Sequence, residues 1–123
     1  MLTLCIRYTL DPNRIDAFRT YVENEQPVIR KVGGRIAGYY LPTDFAVPTN
    51  IAYGLIEFEA LEAYEHYRQA LAADPAHRSN VADLVASGAV RKMDRSFMRR
   101  HADAPSRSMA QMETGHADDR CSS

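Results

Sequence analysis

The sequence predicts an α+β fold in which a four-stranded antiparallel sheet carries its helices on one face. Three observations support that expectation. The hydrophobic period switches between two and about 3.6 along residues 1–100. The pair Asp-Pro occurs at 11–12 and again at 74–75, each time ahead of a helical pattern. Glycine and proline clusters separate the periodic segments, as turns between elements require.

Leu2, Leu4, Ile6 and Tyr8 alternate with Thr3, Cys5, Arg7 and Thr9, the pattern of a strand with one strongly apolar face. Asp11 then supplies an N-cap and Pro12 a first-turn proline, and Ile15, Phe18, Val22 and Ile29 follow at helical spacing. Pro27 should kink or shorten that helix near Gln26, because proline lacks a backbone donor and clashes with the preceding turn. Next comes VGGRIAGYY, residues 32–40. A phosphate-cradling glycine loop follows a strand and opens a helix, whereas Gly33 and Gly34 follow a helix and precede a strand. They are expected to turn the chain, with Gly33 at positive φ and Gly38 at a bulge or close approach inside the strand.

PTDFAVPT, residues 42–49, makes a loop, and IAYGLIEFE, residues 51–59, a third strand that forms a hairpin with the second. Leu61, Tyr64, Tyr67, Ala70 and Leu71 recur at three- and four-residue steps in a second helix that closes at Asp74. Asp74 and Pro75 start a short third helix, stopped by Ser87 and Gly88, and residues 89–100 read as a fourth strand. The order β-α-β-β-α-(α)-β with right-handed crossovers places strand three between strands one and two, and strand four outside strand one. That is a ferredoxin-like βαββαβ sheet. Its other face is expected to be bare, with Ile56 and Phe58 on it, and apolar enough to need a partner, so a homodimer is expected.

Composition narrows the function. Of 123 residues, 46% are hydrophobic and 25% charged, which suits one soluble domain. Fifteen Lys and Arg stand against sixteen Asp and Glu, so the basic excess that nucleic-acid binding requires is missing. No stretch is apolar enough to span a membrane, and Arg7 interrupts what would be a signal peptide's apolar region, so a cytoplasmic location is expected. Residues 102–123 contain no Val, Ile, Leu, Phe or Tyr and read as a disordered polar tail carrying His116 and Cys121, which leaves residues 1–101 as the domain.

Four stretches resemble the NIPSNAP family: YTLDPNRIDAF (8–18), GGRIAGYY (33–40), YGLIEFEAL (53–61) and ALAADPAH (70–77). The resemblance lies in their order and spacing and covers nearly all of residues 1–100. The chain has no tryptophan, and Leu55 and His77 stand where the family frequently shows one. The resemblance implies a dimeric α/β barrel within a superfamily that includes cofactor-independent monooxygenases and small isomerases. Those relatives use a cavity between sheet and helices.

Candidate site residues follow from chemistry. His66 and His77 can titrate near neutral pH and are the candidate general bases. Glu62 precedes His66 by four residues, so a solvated helical pair is the alternative there. Their spacing with Asp74 fits no metal site, and no cofactor loop is present, so neither metal nor cofactor is expected. Strand arginines, Arg35 and Arg91 among them, could hold a small anionic ligand or pair internally with Glu57 or Glu59. Tyr39 and Tyr53 could orient an aromatic ligand or simply pack. Two functions remain open: a dimeric domain acting by association or small-ligand binding, and a cofactor-independent monooxygenase or isomerase acting on a small anionic or aromatic metabolite.

Overall fold

The computed structural model describes residues 1–101; the expected polar tail lies outside the described residues. The elements are β1 (Leu2–Leu10), α1 (Ile15–Lys31), β2 (Arg35–Tyr40), β3 (Ile51–Phe58), α2 (Leu61–Ala73), α3 (Pro75–Ser87) and β4 (Val90–Met98). The sheet has the order β2-β3-β1-β4 with every pair antiparallel, the ferredoxin-like arrangement read from the sequence. No helix among the described residues is long and apolar enough to cross a membrane.

The two Asp-Pro pairs behave differently. Asp74 is a true N-cap: its Oδ1 accepts from the N–H of Ala76 at 2.8 Å and of His77 at 3.3 Å, with Pro75 in the first helical position. Asp11 instead closes a turn. Its Oδ1 accepts from Asn13 N–H and its carbonyl from Arg14 N–H, and α1 starts only at Ile15. The Asp11 N–H is already committed to the Ala89 carbonyl at 2.8 Å, which ties this residue to the chain ahead of β4. Pro27 does not shorten α1, which runs unbroken through it. Pro27 and Glu23, whose carbonyl loses its donor, are both exposed, so water can satisfy the missing bond. After the helix Gly33 takes φ +105°, the positive value expected of it.

Leu4, Ile6, Tyr8 and Leu10 share the helix-covered face of β1 and are all buried. Register corrects one expectation. Ile56 pairs with Leu4 and Phe58 with Leu2, so both lie under the helices and not on the bare face. Ile56 is 1% exposed, and the Phe58 ring packs on Tyr64 and Tyr67 of α2 at 5.4 and 4.8 Å. The reason is that β3 is apolar on both sides: Ile51, Tyr53 and Leu55 alternate with Ala52, Ile56 and Phe58. Periodicity within such a strand leaves its phase open; pairing with the one-sided strand β1 sets it. The open face is mixed. One row across it reads Arg35, Glu57, Thr3 and Met98, another Tyr40, Tyr53, Arg7 and Asp94.

Candidate ligand site

Between the covered sheet face and the helices lies a cavity of about 540 Å³. Alternation on β1 points Leu4, Ile6 and Tyr8 into it, and Ile56 extends the apolar floor. Helical spacing does the same for Tyr21, Glu25 and Ile29 on α1 and for Tyr64, Tyr67, Arg68 and Leu71 on α2. His77 of α3 and Arg95 of β4 complete the polar wall.

Glu25 is the most unusual member. It is 1% exposed, and a carboxylate that deep in a core is costly unless its oxygens are paired. Both are. Oε2 meets His77 Nδ1 at 2.5 Å, and Oε1 accepts from Asn80 Nδ2 at 3.0 Å. The same Asn80 amide group also donates to the Asn24 carbonyl at 3.2 Å. The placement of α3 explains this convergence. Asp74 caps the helix, and its Oδ2 accepts from Lys31 Nζ at 3.1 Å, which pins the start of α3 to the end of α1. Three residues apart, His77 and Asn80 then present one face to Glu25. The Lys31 ammonium, followed by the His77 and Ala76 N–H groups, holds the Asp74 carboxyl below its ordinary range. An ionised carboxylate can only accept, so His77 Nδ1 is the donor in that contact and Nε2 is the ring nitrogen left for another partner. The contact fixes the orientation of the His77 ring.

Five phenols line the same cavity, those of Tyr8, Tyr21, Tyr39, Tyr64 and Tyr67. The Tyr8 hydroxyl acts electrostatically on those of Tyr39 and Tyr21. Burial pushes the ionisation of Tyr8, Tyr21, Tyr39 and Tyr67 well above the ordinary tyrosine range, so all four remain neutral donors at physiological pH. Tyr39 reaches the cavity through two local features. The bulge at Ala37 shifts the phase of β2, so that Tyr39 joins Ile36 on the covered face, where it pairs with Gly54. A Cβ on Gly54 would sit 2.6 Å from the Tyr39 ring, so glycine is what admits the phenol.

The residues singled out from sequence are dispersed. His77 and Tyr39 line the cavity; His66 is exposed on α2 and does not. Tyr53 is 39% exposed on the open face. Arg35 is exposed on that same face and pairs with Glu59 at 3.1 Å and Glu57 at 3.9 Å. Arg91 lies 3.7 Å from Asp11 at the start of β4. Sequence reasoning did not single out the cavity-lining Glu25, Tyr8, Tyr21, Tyr67 and Arg68, and it counted Arg95 among the strand arginines that could hold a ligand. For Glu25 a signal existed, because Phe18, Val22, Glu25 and Ile29 share one helical stripe and a carboxylate interrupts its apolar run.

Fold and cavity together define a ferredoxin-like α+β domain with an internal, polar-walled pocket. The NIPSNAP family profile matches residues 3–105, and the chain belongs to that family. Solved structures agree. A NIPSNAP-like domain protein from Burkholderia xenovorans is 27% identical, covering 85% of this chain and 89% of its own, with a TM-score of 0.70. Another NIPSNAP domain protein from that organism is 18% identical, covering 86% and 100%, with a TM-score of 0.72. A putative antibiotic biosynthesis monooxygenase from Bacteroides thetaiotaomicron shares the fold at 14% identity and a TM-score of 0.60, covering 87% and 95%. No curated protein matches the chain significantly.

Proposed function

We propose that this domain binds a small organic molecule with an apolar, planar body in the cavity and exchanges a proton with it through His77. The observation behind this reading is the buried Glu25 held by His77 and Asn80 at the cavity wall. For packing alone an apolar side chain would serve better at that depth. Next to an imidazole the carboxylate fixes the ring and stabilises the imidazolium formed when Nε2 takes a proton. The neutral phenols supply donors for a developing oxyanion. The cavity volume lies within the roughly 300–1,000 Å³ range of small-molecule sites. Of the two functions open from sequence, the reading combines ligand binding with cofactor-independent isomerase-type proton transfer. A thermal-shift panel of aromatic and aliphatic carboxylic acids, ketones and phenols tests it. At a ligand concentration of about 100 Kd the native state should gain about 2.7 kcal/mol. Ala72→Trp, at an exposed position lining the cavity, should fold and lose that gain. A panel without hits, or hits that bind the Ala72→Trp variant equally, would contradict it.

We read the open sheet face as the contact of a homodimer, closing two sheets into an α/β barrel. Tyr40, Tyr53 and Met98 are 56%, 39% and 52% exposed there, and the pairing places Leu55 and Cys5 between them. Leu55→Asp should dissociate the dimer in sedimentation velocity. A wild-type monomer at micromolar concentration would sink the reading.

A further inference from the structure

We propose that the ligand is an enolisable 2-oxo acid with an aromatic or branched apolar tail, its carboxylate held by Arg95 and Arg68 and its C3 proton taken by His77. This rests on the reading of the cavity as a ligand site and names the chemistry that site would accept.

The argument starts from charge. Arg95, on β4, and Arg68, on α2, both line the cavity, and neither has an ion-pair partner among the described residues, unlike Arg35 and Arg91. Glu25 lines the same cavity, yet it meets His77 and Asn80 and not Arg95. The space therefore keeps a cationic part and a carboxylate–imidazole part separate. Arg95 acts electrostatically on Tyr8 and Tyr67, and Glu25 acts on Tyr21, Tyr39 and Tyr67, so the Tyr67 phenol is influenced by both. A ligand that satisfies this layout has an anionic group for the guanidinium fork, an apolar body for Leu4, Ile6 and Ile56, and an acidic C–H for His77. It also has an oxygen between these groups for a phenol to bind. A 2-oxo acid has all four, with its carbonyl adjacent to both the carboxylate and the acidic carbon.

The step balances within the site. His77 Nε2 takes the C3 proton; the C–H pair becomes the C2=C3 bond, and the carbonyl π pair moves onto oxygen. Tyr67 or Tyr8 donates a hydrogen bond to that enolate oxygen. The imidazolium then returns its proton to the oxygen, giving the enol, or to C3, giving back the ketone. No oxidant or second substrate enters. Neutral phenols suit this role, since a tyrosinate would repel the enolate.

Phenylpyruvate and phenylacetone, which differ only by carboxylate in place of methyl, test the proposal on the full-length chain. Binding is read by thermal shift, and enolisation by proton NMR of methylene exchange in D2O against a protein-free control. Phenylpyruvate should bind at least about tenfold more tightly than phenylacetone, and its exchange should accelerate about a hundredfold or more. His77→Gln should bind phenylpyruvate but lose the acceleration, and Arg95→Met should fold and lose the preference for the acid. Binding without accelerated exchange overturns the enolisation and leaves the ligand site standing. Equal binding of the two ketones, or an unchanged Arg95→Met variant, overturns the carboxylate anchor. If phenylpyruvate does not bind, the inference is wrong, and hits elsewhere in the wider panel show whether the cavity still takes another class of ligand.

Discussion

The two faces of the sheet use similar residues to opposite ends. On the open face, Arg35 and its carboxylate partners meet in water, the Arg35 side chain being 62% exposed. On the covered face, Glu25 is itself 1% exposed and gathers two half-buried side chains from another helix. Tyr40 and Tyr39, neighbours in sequence, go one to each face. What separates brace from site is therefore less residue type than parity along a strand, and parity here depends on the bulge at Ala37 and the space at Gly54.

Substitutions sharpen that contrast, beginning with the largest effect. Phe58→Ala removes a ring packed on Tyr64 and Tyr67 and should cost about 3–5 kcal/mol in denaturant unfolding. Tyr53→Ala, five residues earlier on the open face, should cost far less in dilute solution. Equal losses would mean that the assigned faces are wrong. Arg35→Met should change stability by no more than about 1 kcal/mol, because exposed ion pairs contribute little. A larger loss would place Arg35 in a structural role that its exposure does not suggest.

The smallest effect is a pH dependence. The Asp74 carboxyl is held below its ordinary 3.8 by Lys31 first and by helix N–H groups next. A carboxylate more acidic in the folded state adds stability above its unfolded pKa and loses it as pH falls through the folded one. Asp74→Asn keeps a capping oxygen but no longer titrates. Below about pH 4, the thermal midpoint of the wild type should therefore fall more steeply than that of the variant. Parallel pH profiles would remove Asp74 from the account of how α3 is positioned.

Much of the fold was legible because local signals agreed with one another. One-sided alternation marked β1, and Asp74-Pro75 marked the start of α3. Topology then followed from element order. Local signals failed where two segments had to meet. The faces of Ile56 and Phe58 depend on pairing with β1, and the orientation of His77 depends on a carboxylate 52 residues away. His77 was visible as a titratable group in the first turn of a helix, but nothing near it in sequence announced Glu25 or Asn80. Arg95 was legible as a strand arginine. That it lies on the covered face and lines the cavity emerges only once β4 is laid beside β1.

The central claim is that the covered face, and not the open one, holds the ligand. Intermolecular nuclear Overhauser effects between phenylpyruvate ring protons and protein side chains test it most directly. The account predicts contacts to Ile6, Tyr67 and Leu71, which line the cavity. Contacts to Tyr53, Leu55 or Met98 instead, or none to either face at saturating ligand, would contradict it.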